Sequence, residues 1–199
     1  EFKRPIVEQQ PKIEKLSTDF IHEIDGHLPE SIRLAYRFAC STGLRAGEQR
    51  ALTWDDIDFK MSEVNVRRSA KLKVVVDDEI EKHGVGLVKT NTSNRTVPIP
   101  GKILKELKEL YIKKGRPGKT NFVFGTKYNT MIGRSYWLEQ LQKVVKKVTD
   151  KTLRWHDLRH YYASKMLEHF GDDIWTVSNL MGHSDIKITQ NVYGHWMQD

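Results

Sequence analysis

A chain of 199 residues with 38% hydrophobic content can bury one substantial core, and it is too short for several large domains. Thirty-three Lys and Arg against 26 Asp and Glu leave a formal net charge of +7 and a pI near 9.4, a balance that favours a polyanionic partner. The single cysteine, Cys40, excludes an intrachain disulfide framework, and no apolar run nears the ~20 residues that cross a bilayer.

The opening EFKRPIVEQQPK lacks an apolar signal region, so a cytoplasmic, nucleoid-associated setting is expected. Residues 1–16 carry charge and two prolines with little apolar periodicity, and read as a linker from an excised neighbour; residues 17–199 read as one domain. Ser17 or Thr18 can cap a short helix ending near Gly26. Pro29, at a first-turn position, can open a second helix through Ile32, Leu34, Ala35, Phe38 and Ala39, stopped by Gly43. Arg45 to Leu52 can add a turn or two of helix. The β-branched content of Val64–Arg68, Leu72–Val76, Gly86–Lys89 and Arg95–Ile99 predicts strands of a small antiparallel sheet, with NTSN at 91–94 as the turn of a hairpin between the last two. Helical patterns follow at Lys102–Lys113, Arg134–Val148, Asp157–Phe170, Asp173–Met181 and Ile186–Tyr193, with a short Phe122–Phe124 segment among them. The expected class is mainly α with a minor antiparallel sheet.

Chemistry concentrates in four stretches: STGLRAGE at 41–48, VKTNTSNRTVPIP at 88–100, HDLRH at 156–160 and LMGHSDIKITQNVYGH at 180–195. His156 and Arg159 lie three apart, so on a helix they share a face and can address one anion, and a planar guanidinium binds two phosphate oxygens without losing its charge. Arg45, after Gly43 and Leu44, opens a helix whose N–H groups also suit an anion. Lys89 beside a turn can bring an ammonium to a departing oxygen. Each residue also has an ordinary reading. His156 and Arg159 could be solvated surface groups, Lys89 an edge-strand charge that deters aggregation, His183 a helix cap ahead of Ser184 at the next N-cap, and Tyr193 a packing residue with a wet hydroxyl. Taken together the six side chains complement one another for a single reaction. Tyr193 can attack a phosphodiester, Arg45, Arg159 and His183 can stabilise charge on its free oxygens, His156 can accept or share the tyrosine proton, and Lys89 can protonate the leaving oxygen; no metal or other cofactor is needed.

The blocks TGLRAGE, KTNTSNRTVPIP, HDLRHYYAS and LMGHSDIKITQNVYGH resemble, in this order, the signature regions of tyrosine recombinases of the phage integrase type. The resemblance runs from about Thr18 to the end and implies the carboxy-terminal catalytic domain of a site-specific recombinase. It makes Arg45 and Arg159 the arginine clamp, Lys89 the hairpin lysine, His156 and His183 the paired histidines, Tyr193 the nucleophile and Glu48 a supporting acid. It also implies a separate amino-terminal DNA-clamping domain, double-stranded DNA as substrate, and a homotetramer on synapsed sites that passes through a Holliday junction. Accessory DNA-bending proteins and a bacterial or phage source complete that expectation, with the present piece alone a monomer. Tyr161 and Tyr162 depart from the family pattern after HDLRH, as does Met181 before Gly182 and His183. Expected DNA-backbone contacts are Lys71, Lys73, Arg95, Lys127 and Arg134. A non-cleaving DNA-binding regulator and a type IB topoisomerase are the alternatives.

Two superficial matches fail. HDLRH differs from the zinc-protease H-E-x-x-H in its shorter acid, with Arg159 set against a dication. GRPGKT at 115–120 ends like a phosphate-binding loop but has two residues between its glycines where four are needed.

Overall fold

The computed structural model describes residues 14–71, 74–76, 79–81, 84–87, 94–133, 135–171 and 173–196. Helix α1 (Thr18–His27) starts where the Ser17 hydroxyl accepts the Phe20 N–H at 3.2 Å. Helix α2 (Glu30–Thr42) starts just after Pro29, which holds the N-cap position at φ −64° rather than lying in the first turn. Gly43 ends α2 in the left-handed region at φ +61°, and a Cβ there would stand 2.2 Å from Cδ1 of Tyr162. Conformation and space both demand glycine, and the bare backbone lets α2 lie against α6 (Asp157–Phe170). Tyr162, the departure from the family pattern, is thereby a buried ring stacked over that glycine.

Between α3 (Ala46–Arg50) and α4 (Gly101–Lys113) run seven short strands: β1 (Ile57–Asp58), β2 (Glu63–Val66), β3 (Arg68–Lys71), β4 (Val74–Val76), β5 (Glu79–Glu81), β6 (Gly84–Leu87) and β7 (Arg95–Pro98). They form three antiparallel sheets, β1-β2-β7, β3-β6 and β4-β5, instead of the one expected. The expected hairpin between 86–89 and 95–99 is also replaced, since β7 pairs with β2 (Val64 opposite Val97) and β6 pairs with β3 (Arg68 opposite Leu87). The reason lies in what each strand can bury. Val64, Val66 and Val97 are fully buried on one face, whereas β6 offers two glycines and an exposed Leu87. The NTSN turn lies, but for Asn94, outside the described residues.

The remaining helices are α5 (Tyr136–Val148), α7 (Ile174–Met181) and α8 (Ile186–Tyr193). Ile24, Ile32, Phe38, Leu107, Leu141 and Leu158 form a continuous core, against which Cys40 is half-buried. Trp137 and Trp155 stack with ring centroids 4.8 Å apart, and Trp155 Nε1 donates to Gln49 Oε1 at 3.3 Å while Gln49 Nε2 donates to the Ala35 carbonyl at 2.7 Å. These contacts tie the residue before His156 to α2 and α3, so the start of α6 is held in place. No helix among the described residues is long and apolar enough to cross a membrane.

Candidate active site

The site is organised around the C-terminal end of α7. Gly182 adopts φ +63° there, its N–H donating to the Asn179 carbonyl at 2.9 Å, and the His183 N–H donates to Ser178 at 3.1 Å. This double bond pattern closes the helix with the backbone of His183 and leaves its ring free to turn elsewhere. Three guanidiniums from distant segments take the next carbonyls. Arg95 Nε donates to Leu180 at 2.8 Å, Arg159 Nη2 to Met181, and Arg45 Nη2 to Gly182 at 3.4 Å. Cations suit this end of a helix, where unpaired carbonyls carry partial negative charge. Arg159 is anchored a second time by donating to the Gly43 carbonyl at 2.6 Å.

Glu48 holds the cluster from the other side. Its carboxylate accepts the Arg45 N–H at 2.8 Å and Arg45 Nη1 at 2.9 Å, and receives Arg95 through Nη1 at 3.2 Å and Nη2 at 3.0 Å. Burial alone would raise the pKa of Glu48, but the Arg95 charge and hydrogen bond, with Arg45, bring it down to about 2. Burial, then the charges of Arg45 and Arg95, lower the Arg159 guanidinium to about 9, which leaves it protonated at neutral pH. The Arg45 side chain is 38% exposed, while that of Arg95 is 6% exposed and spends its Nε on Leu180 and both Nη on Glu48.

The expected surface contact at Arg95 is therefore corrected: it is a buried strut between β7, Glu48 and α7. The type and charge of the residue were readable, but its burial depends on Glu48 meeting it across 47 positions of chain.

His183 Nδ1 lies 2.8 Å from Thr189 Oγ1, and burial followed by the Arg159, Arg45 and Arg95 charges lowers its pKa to about 3. His156 is exposed at the N-cap of α6, where partial burial and Arg159 lower its pKa. The histidine that meets the candidate nucleophile is His160, whose Nδ1 is 2.8 Å from the Tyr193 hydroxyl. His156 stands behind it, its ring edge-to-face with that of His160 at 4.9 Å. Burial, then His156, lowers His160 to about 4, while burial raises Tyr193 to about 12 against the pull of Arg159 and Arg45. Trp196 packs on the Tyr193 ring at 5.0 Å, and Tyr193 is 1% exposed.

The fold thus gathers Arg45, Glu48, His156, Arg159, His183 and Tyr193, which lie in three separate stretches of sequence. Lys89, Lys73 and Arg134 lie outside the described residues. Lys127 is exposed with its ammonium 4.9 Å from the centre of the Tyr128 ring, and Lys71 is half-buried with its stem across Gly86. Asp185, not Ser184, caps α8 by accepting the Lys187 N–H at 2.8 Å. Sequence reasoning missed His160 and Thr189. His160 lies one helical turn after His156, which was a usable signal; nothing local to Thr189 marks it.

The sequence model described as "Phage integrase family" matches residues 13–198. The chain is 33% identical to a "Tyrosine recombinase XerC-like" protein of Caldanaerobacter subterraneus subsp. tengcongensis over 94% of its own length and 51% of the relative's. It is 34% identical to the ICEBs1 integrase of Bacillus subtilis over 80% of this chain and 44% of that protein. It therefore spans about half the length of the relatives it matches. The fold is similar to that of the Tn1549 transposon integrase in complex with transposon right end DNA, with TM-score 0.75, 21% identity, and coverage of 94% of this chain and 62% of that one. The catalytic domain of bacteriophage HP1 integrase is also similar, at TM-score 0.61 and 19% identity over 93% of this chain and 89% of that domain.

Proposed function

The chain belongs to the phage integrase family, and on that premise we propose that it is the catalytic domain of a site-specific DNA recombinase. The observation that carries the reading is the convergence of Arg45 and Arg159 on the carbonyls that end α7, where His183 follows, while His160 on the same helix as Arg159 holds the Tyr193 hydroxyl. In this scheme Arg45, Arg159, His183 and the exposed His156 bind the non-bridging oxygens of one phosphodiester. Positive charge already fixed by Glu48 and helix carbonyls needs no reorganisation as the pentavalent transition state forms. The Tyr193 hydroxyl passes its proton to His160, whose Nδ1 lies 2.8 Å away, and its oxygen bonds to phosphorus; the bond from phosphorus to the 5′ oxygen breaks, and Lys89 protonates the leaving oxygen. A 3′-phosphotyrosine and a free 5′-hydroxyl result. Attack by that hydroxyl, or by one from a partner duplex, reverses the step and rejoins the strand, so the phosphodiester energy is conserved and ATP is not consumed.

Tyr193 is buried with its ring against Trp196 and its hydroxyl on His160, so the hydroxyl must be uncovered before a phosphate can reach it. For the whole protein we propose residues 1–16 as a linker to a DNA-clamping domain, and a tetramer on two synapsed duplexes, assisted by DNA-bending proteins, as the working assembly. Cytoplasmic action on the DNA of a mobile element fits this reading.

The test is covalent trapping on a nicked DNA suicide substrate, comparing the native chain with Tyr193→Phe on a denaturing gel, with and without EDTA. An EDTA-resistant adduct absent from the variant is expected. A native chain that binds DNA but forms no adduct, alone or joined to a clamping domain, would move the assignment to a non-cleaving DNA-binding regulator. Adduct formation and relaxation on DNA of any sequence would move it to a topoisomerase.

A further inference from the structure

Thr189 is a buried hydroxyl whose placement has consequences for the neighbouring histidine. It is 0% exposed on α8, one turn before Tyr193, and its Oγ1 lies 2.8 Å from Nδ1 of His183. A threonine inside a helix commonly turns its hydroxyl back to the carbonyl four residues earlier. Here the hydroxyl reaches out of the helix, across the loop that follows α7.

His183 sits among Arg45, Arg95 and Arg159, which together with burial keep its ring neutral at physiological pH. A neutral imidazole carries one N–H, and its location decides what the ring can do. With the proton on Nε2 the ring donates to an anionic oxygen. With the proton on Nδ1 it turns a lone pair toward that oxygen, which is repulsive. We propose that Thr189 is a positioning residue that donates its hydroxyl hydrogen to Nδ1 of His183, and so fixes the tautomer in which Nε2–H is offered to the scissile phosphate. The phosphate part of this inference rests on the recombinase reading above; the tautomer part rests on the contact alone. The same contact ties the helix that carries Tyr193 to the loop that carries His183, so nucleophile and anion donor share one frame.

The experiment reads the tautomer and the chemistry separately. Chain labelled with 15N-histidine is studied by long-range proton–nitrogen NMR, with His183 signals assigned as those lost in His183→Gln, for the native protein, Thr189→Val and Thr189→Ser. The native ring is expected in the Nε2-protonated form. Thr189→Val, which keeps the shape and removes the hydroxyl, should give a tautomer mixture and slow covalent trapping about tenfold at unchanged DNA affinity, the scale of weakening one anion donor. Thr189→Ser should restore both. A native His183 protonated at Nδ1, or an unchanged tautomer in Thr189→Val, overturns the proposal. The NMR readout needs no DNA, so it decides the role of Thr189 even if the native chain forms no adduct, and that second failure would count against the recombinase reading alone.

Discussion

The Tyr193 hydroxyl and Nδ1 of His160 lie 2.8 Å apart inside the protein, so the candidate nucleophile is also a structural partner. Removing the hydroxyl in Tyr193→Phe leaves a buried nitrogen without its hydrogen bond, a change that costs about 1–2 kcal/mol. We expect the variant to lose stability by that amount as well as losing the DNA adduct. Urea unfolding of the two proteins checks it, and equal midpoints would mean that the contact contributes nothing to the fold.

Arg95 and Glu48 form a doubly hydrogen-bonded pair with side chains 6% and 3% exposed. Removing one member of such a pair leaves a buried charge, at a cost of about 3–5 kcal/mol. Arg95→Met should therefore unfold at much lower urea concentration, and the loss should be largest near neutral pH, where Glu48 is ionised. A variant within about 1 kcal/mol of the native protein would show that Arg45 alone satisfies the carboxylate.

Gly43 joins two demands, a left-handed backbone and a Cβ position 2.2 Å from the Tyr162 ring. Its carbonyl also accepts from Arg159. Gly43→Ala should destabilise the fold by roughly 2–4 kcal/mol through overpacking and strain combined. The double variant Gly43→Ala, Tyr162→Ala should cost less than the sum of its two single variants, because the clashing ring is gone. Thermal melts of the native protein, both single variants and the double test this, and strict additivity would assign the Gly43→Ala cost to backbone strain alone.

Acid should destabilise the protein in two stages. His183 and His160 have folded pKa values lowered to about 3 and about 4 from an ordinary 6.5, so below pH 6.5 the unfolded chain takes up protons that the folded one refuses. Stability is therefore full above 6.5 and falls as the pH drops toward those folded values. Glu48, lowered from 4.5 to about 2, adds a loss that begins near 4.5 and runs down toward 2. Unfolding midpoints should be level from pH 8 to about 6.5 and fall from there to pH 3, and His183→Gln should flatten the upper stage. A stability maximum near pH 4 would contradict the sign of the two histidine shifts.

Binding of DNA should weaken steeply with salt, because phosphate contacts release condensed cations. Lys127→Ala, at an exposed loop, should reduce the slope of log affinity against log salt by about one. Conservative change at Arg95, for instance Arg95→Lys, should leave the slope alone, because that side chain is turned inward. A lower slope in the Arg95 variant, measured where it is still folded, would return that residue to the DNA surface.

Local signals carried far in this chain. The expected spans Asp157–Phe170 and Ile186–Tyr193 coincide with α6 and α8, and Ser17, Gly43 and Asp173 act at helix ends as their side chains suggest. Caps and apolar periodicity act within a turn or two, so the information is contiguous. Strand pairing is different. Whether 84–87 meets 95–98 or 68–71 depends on which faces can be buried together, and the valines that decide it, Val64 and Val97, are 33 positions apart.

By itself, then, the sequence determined which helices form, where they end, and that arginines, histidines and a tyrosine suited to one phosphodiester are present in four blocks. Only the tertiary structure decided how they are used: Arg45 outward and Arg95 inward on one carboxylate, His160 rather than His156 on the Tyr193 hydroxyl, and Thr189 on His183. The physical reason is that a side chain's type fixes its charge and reach, whereas its burial and its hydrogen-bond partner are properties of the packed whole.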